Sequence, residues 1–468
     1  MSIISLGTVS VDGISTGLKT STLIDELAKA SGRSKTSMQR KLAALEAKST
    51  LFTTLNTRMD TLDTALEAIE DTDDFRSFSV VTEDDASFTA TASGDAIGGS
   101  YDITVNAVAT SQIEHFSIGG STSFEEQDAA GIFSAGEITF RVDGTDSAIA
   151  VDADTDLINF AAEVNDIDGI TAYVVQTATL EDTGADAFTL VIQADDTGLD
   201  GGLPRIRISD DISETIALSS VQSATNAEIE VSGTTIESAS NTITAIQGLT
   251  IVAENIDSTS YTSTLALDTT DMAAKVETIV NAFNAVVSLI STNSSIDSSG
   301  TNQDAVTLGS FVGESLPRTI LNRMRTILSS DYTSDLSITG TTAGSQMGIT
   351  TASGTGLLTF SSGDFIDALN ANQSDVEALF SDTSGSLSDS LRDELNVYIQ
   401  PSTGLLASQD DAFDDQIDTI EEMIDAEETR IEKFKARLRI QFNGLEAITA
   451  SLNATSSFLT SFFAPKTS

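Results

Sequence analysis

Two sets of residues in this sequence have the types and spacing for chemistry. Gly13-Ile14-Ser15-Thr16-Gly17 fits G-x-S-x-G, the turn that presents a nucleophilic serine in many hydrolases. Such a serine needs a strand before it, a helix after it and a histidine to take its proton. Only the helix is supplied. The chain has one histidine, His115, in a strand-to-loop stretch beside Glu114 and Phe116, and nothing in the sequence brings it to Ser15. Ser15 therefore reads as a turn residue.

Asp152, Asp154 and Asp156, with Glu163 at the twelfth position, have the carboxylate spacing of a calcium loop. The sixth position, where that loop turns sharply and needs glycine, is Leu157, and an amphipathic helix starts inside the would-be loop. These aspartates read as turn and N-cap residues. No zinc spacing, phosphate loop or catalytic carboxylate pair stands out, so neither an enzyme nor a cofactor is expected.

Composition narrows the classes further. Against 23 lysines and arginines stand 71 acids, a formal net charge of −48, which repels nucleic-acid phosphates and anionic membrane surfaces. Cysteine is absent, which removes disulfides and thiolate metal sites. The start "MSIISLGTVSVDG" lacks a basic n-region and an unbroken apolar core, and no run of 18 apolar residues exists, so neither a signal peptide nor membrane insertion is expected. Basic residues crowd toward the ends: residues 77 to 274 hold only Arg141, Arg205 and Arg207.

The elements that would position functional residues fall into three parts. "LKTSTLIDELAKA" places Leu23, Ile24 and Leu27 on one helical face, with Thr22 and Asp25 spaced as a capping box. After Gly32, Met38, Leu42, Leu45, Phe52, Leu55, Met59, Leu62, Leu66 and Ile69 step by threes and fours, a heptad seam about 48 Å long. The far end repeats the pattern with Phe413, Ile417, Ile420, Ile424, Ile431, Phe434, Leu438, Leu445, Ile448 and Leu452. Each seam is too narrow to be buried alone, and the two are expected to pair antiparallel. Charge favours that pairing, since an antiparallel arrangement is expected to bring Arg430, Lys433, Lys435, Arg437 and Arg439 near Asp60, Asp63 and Glu67. An apolar tail follows at Phe458, Leu459, Phe462 and Phe463, expected to anchor the chain in an assembly.

Between the ends the period becomes strand-like. "FSVV", "SFTATA" and "SYDITVNAV" are β-rich, with Tyr101, Ile103 and Val105 alternating onto one buried face. A hairpin is expected about Asp143-Gly144, then a helix with Leu157, Phe160, Ala161 and Val164, then further strands to "STLAL". Helices resume at Asp271 with Met272, Val276, Ile279, Phe283, Val286 and Ile290. The fold class is thus α+β multidomain: a terminal α-helical coiled-coil stalk with β-rich head domains inserted between the N- and C-terminal helices.

These stretches carry a resemblance. "GISTGLKTSTLIDELAKA", "FTATASGDAIGGSYDITVNAVATSQ", "LINFAAEVNDIDGITAYVV", "SNTITAIQGLTIVAE", "VETIVNAFNAVVSLI", "MGITTASGTGLLTFSSGDFIDALNANQSDVEALF" and "LRIQFNGLEAITASLNATSSFLTSFF" resemble, in order, the bacterial flagellar filament cap family, hook-associated protein 2. The resemblance implies terminal helical leg segments at 1–37 and 441–468, a helical coiled-coil leg domain at 38–75 and 269–440, a β-rich head domain at 76–113 and 225–268, and an outer head domain at 114–224. It implies a homo-oligomeric ring, a pentamer, that caps the filament tip and helps flagellin polymerise. Flagellin, the hook–filament junction protein and a flagellar export chaperone become the expected partners. Secretion through the flagellum's own channel, without a cleaved signal, becomes the expected route to an extracellular location. Two alternatives stay open: another flagellar axial or junction subunit, and a secreted adhesin that uses the exposed heads.

Overall fold

The computed structural model describes residues 19–178, 187–297, 307–329, 347–381 and 385–462. Ser15 and Phe463 lie outside them, as does the side chain of Phe462. The described helices are α1 (Thr20–Ser31), α2 (Arg33–Glu67), α3 (Thr72–Phe75), α4 (Leu157–Asn165), α5 (Thr269–Asn293), α6 (Leu316–Leu328), α7 (Ser362–Ala371), α8 (Gln373–Ser381), α9 (Leu387–Ile399) and α10 (Leu405–Phe462). The chain divides into two compact units, Met1–Glu70 with Lys275–Ser468, and Asp71–Ala274.

The first unit is helical. Leu55, Met59, Leu62 and Leu66 of α2 are fully buried, as are Val276, Val286 and Val287 of α5, Ile320 and Met324 of α6, and Leu395 of α9. The period-3.6 stripe of each helix is what allows them to share one core. Pro317 sits in the first turn of α6, where its missing N–H costs nothing. α5 is long and apolar enough to cross a membrane by composition, but the six positions that its periodicity marks all lie in the core. Two small antiparallel pairs follow α5, β16 (Ile296–Asp297) with β17 (Thr307–Leu308) and β18 (Ile349–Thr351) with β19 (Leu358–Phe360), and Asn284 of α5 clamps the second: its amide donates to Leu358 O and accepts from Leu358 N, both at 2.8 Å.

The first helix differs from its expected form. α1 starts at Thr20 with Lys19 before it and no side-chain cap, so Thr22 and Asp25 form no capping box. Thr20, Ile24 and Ala28 are its buried face, while Leu23 and Leu27 are exposed. The i, i+4, i+8 row won over the more apolar one because that row faces α10.

The second unit holds two β modules. In one, β1 (Phe78–Thr82), β15 (Asp257–Leu267), β3 (Gly99–Ala107), β11 (Ala227–Val231) and β12 (Thr234–Ser238) form an antiparallel sheet in that order. It shares a core with the sheet β13 (Thr242–Ile246), β14 (Leu249–Ala253) and β2 (Phe88–Ala92), in which Ile103, Val105 and Ile229 are fully buried. The other module has the sheet β10 (Ile216–Gln222), β4 (Ser111–Ile118), β8 (Ala187–Thr197) and β7 (Ile170–Ala178), and the sheet β6 (Thr145–Val151), β5 (Gly136–Val142) and β9 (Ile206–Asp210). α4 and four phenylalanines, Phe116, Phe133, Phe140 and Phe160, fill its core, their rings 4.9–6.2 Å apart. The Asp143-Gly144 turn takes φ values of 47° and 80°, the left-handed conformation that a two-residue hairpin requires.

The two modules meet at a polar waist. Asn241 donates to Ala109 O at 2.9 Å and accepts from Ala109 N at 2.7 Å; Thr110 and Thr225 form a bridge, and Thr197 Oγ1 donates to Ala239 O at 2.8 Å. Gly198, with φ of 74°, lies so close to Ala239 that a Cβ would strike its backbone.

Candidate functional site

The residues that the sequence singles out for chemistry have local structural jobs. Asp152 Oδ1 accepts from the backbone of Asp154 (2.9 Å) and Thr155 (3.1 Å), an Asx turn, and Asp156 caps α4 by accepting from Asn159 N at 2.7 Å. Both are the turn and cap roles expected. His115 is not in a loop: it lies inside β4, opposite Ser219 on one side and Val191 on the other.

The heptad seams occupy three environments. Met38, Leu42 and Leu45, in the first half of α2, are half-buried; Phe52, Leu55, Met59, Leu62, Leu66 and Ile69 are buried. On α10, Phe413 and Ile424 are buried, and Ile417, Ile420, Ile431, Phe434 and Leu438 are half-buried. Beyond these the same stripe is exposed: Leu445 is 44% exposed, Ile448 62%, Leu452 63%, Phe458 65% and Leu459 47%.

α2 and α10 do run antiparallel. Arg430 donates to Ser31 O (3.1 Å) and Oγ (3.0 Å), Lys35 pairs with Glu428, Ser49 Oγ donates to Asp410 at 3.3 Å, and the Phe52 and Phe413 rings lie 5.2 Å apart. The register is not the one that charge suggested. Residues near 413 face residue 52, and residues near 430 face residue 31, so Leu438 stands opposite α1 rather than Leu62. Leu62 is buried in the helical core instead, where α9 also contacts α2.

The acids of α2 find another cation. Arg392 of α9, a residue no sequence pattern marked, pairs with Asp63 at 3.2 Å, with Glu67 at 3.7 Å and with Glu70. Burial pulls the Arg392 pKa down, and the Asp63 hydrogen bond with the charges of Asp63, Glu70 and Glu67 more than reverses it. Arg430, meanwhile, holds Glu427 at 2.7–2.8 Å, and that hydrogen bond draws the Glu427 carboxyl below its usual range. A cleft of about 400 Å³ opens between α2, α9 and α10, walled by Phe52, Asp60, Asp63, Gln400 and Asp410. Burial, then the charge of Asp63, raises the pKa of Asp60 there. On the far side of α9, burial and a 2.7 Å hydrogen bond to Glu394 push Tyr398 up to about 12.

These features describe structural helices joined by packing and ion pairs, with an apolar stripe carried past the pairing. Among the described residues, no group of three or more His, Cys, Asp or Glu is arranged to hold a metal.

Known proteins match this chain along its length. The family described as "Flagellar hook-associated protein 2 N-terminus" matches residues 16–112, and "Flagellar hook-associated protein 2 C-terminus" matches residues 224–454. Flagellar hook-associated protein 2 of Escherichia coli strain K12 is 26% identical over 477 residues, covering 98% of both chains. The A-type flagellar hook-associated protein 2 of Pseudomonas aeruginosa is 26% identical over 96% of this chain and 95% of its own. The crystal structure of the flagellar cap protein FliD D1-D2-D3 domains from Escherichia coli superposes with a TM-score of 0.63 at 23% identity, covering 78% of this chain and 99% of that one, and so shares the fold. With both terminal regions matched in order and relatives aligned over nearly their whole length, this chain belongs to the flagellar hook-associated protein 2 family.

Proposed function

We propose that this chain caps the distal end of the bacterial flagellar filament and promotes insertion and polymerisation of exported flagellin. The observation that carries the reading is the family match at both ends of the chain, together with an alignment to relatives that covers 98% of each. The work is structural rather than catalytic.

In this reading the protein acts as a homo-oligomeric ring, a pentamer, at the filament tip. Its symmetry differs from the filament's, so its legs cannot all fit equally and a gap stays open for the next flagellin. Residues 1–37 and 441–468 are the leg segments, 38–75 and 269–440 the helical leg domain, 76–113 and 225–268 the inner head, and 114–224 the outer head. The exposed stripe of Leu445, Leu452, Phe458 and Leu459 belongs to the anchor, because covering apolar surface that a helix carries into water lowers the free energy, and Phe462 and Phe463 extend the same apolar tail in sequence. Leu45, Phe52, Ile417, Ile420, Ile424, Ile431, Phe434 and Leu438 build the coil that supports it, and Leu55, Met59, Leu62 and Leu66 tie that coil into the helical core. The chain travels unfolded through the flagellar secretion channel, escorted by an export chaperone, and meets the hook–filament junction protein before flagellin. A strain lacking this chain should secrete monomeric flagellin into the medium and make no long filaments. Filaments of normal length in that strain, with no second cap gene present, contradict the proposal.

A further inference from the structure

A second surface carries an assembly role of its own. α6 holds Arg318, Arg323 and Arg325 and no acid along Leu316–Leu328, in a chain whose acids outnumber its basic residues 71 to 23. Arg318 and Arg325 are seven residues apart, two turns on one face, with Leu321 and Asn322 between them. That face lines an open cavity of about 680 Å³, walled by the end of α5 around Ser288–Ser294 and by the turn from Gly354 to Leu357 between β18 and β19. Neither of those walls contains a charged residue. Ser291, Thr292 and Thr355 supply hydroxyls. Among the described residues neither arginine takes part in an ion pair: the nearby acid Glu314 is held by Lys48 at 2.6 Å.

Arg325 is built into this position rather than draped over it. Its Nε is buried and has no hydrogen-bond partner among the described residues. Gly356, with φ of 71°, lies against the guanidinium so closely that a Cβ there would collide with Nη2. The Gly356 contact fixes the guanidinium in place beside a second arginine, and a pair of arginines on one helix face suits carboxylates.

We propose that this cavity receives carboxylate side chains of a second copy of the chain when copies associate. The inference rests on the oligomeric reading above and adds the contact that makes it electrostatically feasible. Copies with a net charge of −48 repel one another, and a contact that sets arginines against acids relieves that repulsion where they meet. At about 680 Å³ and open to solvent on one side, the cavity has room for an acidic side chain with part of its backbone. Every other copy supplies acids in abundance.

The test uses the full chain. Arg318→Gln with Arg325→Gln should lower the self-association constant at least tenfold, measured by sedimentation at fixed salt, while helicity and Tm stay at wild-type values. Arg318→Lys keeps the charge and permits zero-length carbodiimide coupling. In a mixture of isotopically heavy and light copies, an isopeptide from position 318 to an Asp or Glu of the other isotope supports the inference. An unchanged association constant, a wild type that stays monomeric, or coupling confined to single copies overturns it. The flagellin-secretion experiment decides the cap reading separately, so the two can fail independently.

Discussion

Asp60 stands where burial and the charge of Asp63 hold its carboxyl above the usual range. Because the folded pKa is raised, the folded protein holds that proton more tightly than the unfolded chain. Stability therefore falls as pH rises through the carboxylate range, and the ionised group stays a liability at neutral pH. Asp60→Asn should raise Tm at pH 7, by the equivalent of no more than about 0.5 kcal/mol for so exposed a side chain, and the gain should vanish below about pH 4. Arg392 is the opposite case. Arg392→Ala leaves Asp63, Glu67 and Glu70 clustered without their cation and should cost about 1–3 kcal/mol in denaturant unfolding at neutral pH. Neither residue's role was readable beforehand, since both depend on which helix faces which. The aspartates at 152 and 156 were readable, because a turn and an N-cap are made within a few residues of the side chain that forms them.

At the scale of elements, period fixed identity and left register open. The stripes of α2, α5 and α10 announce helices, and those of β3 and β11 announce strands, because 3.6 and 2 are properties of the backbone. Two heptad seams, however, fit one another at any offset of seven. Charge was the tie-breaker available in sequence, and it misled because Arg392 occupies the acids of α2. The observed register makes a direct prediction: Leu62→Asp, at a fully buried position, should destabilise the helical unit by several kcal/mol, whereas Leu438→Asp, half-buried opposite α1, should cost well under half as much. Equal losses of helicity on heating would count against this register. Strand order escaped the sequence for a related reason. The neighbours β1, β15 and β3 are far apart in the chain, and β4 and β10 carry little alternation. The β5–β6 hairpin was legible, through Asp143-Gly144 with φ of 47° and 80°. The waist can be tested through one side chain. Asn241→Ala strips both backbone groups of Ala109 of their partner and should cost about 1–3 kcal/mol, read from chemical denaturation.

For the whole molecule, the dominant physical fact is a charge of −48 on one chain. Self-repulsion of that size opposes the compact state and weakens as the Debye length shrinks, so Tm should rise steadily between about 0.01 and 1 M salt. A flat or falling profile would mean that ion pairs such as those of Arg392 outweigh the repulsion. The proposed cap function would have the molecule hold a filament end with its helical termini while the inserted β modules stay in water, and the acid-rich composition of those modules suits the second task. The most direct measurement of the central claim is where the protein sits on a growing flagellum. Immunogold labelling of the full-length chain should mark the distal end of each filament and stay at that end as the filament lengthens. Label distributed along the shaft, or fixed at the junction with the hook, would contradict the cap reading and make this an axial or junction subunit instead.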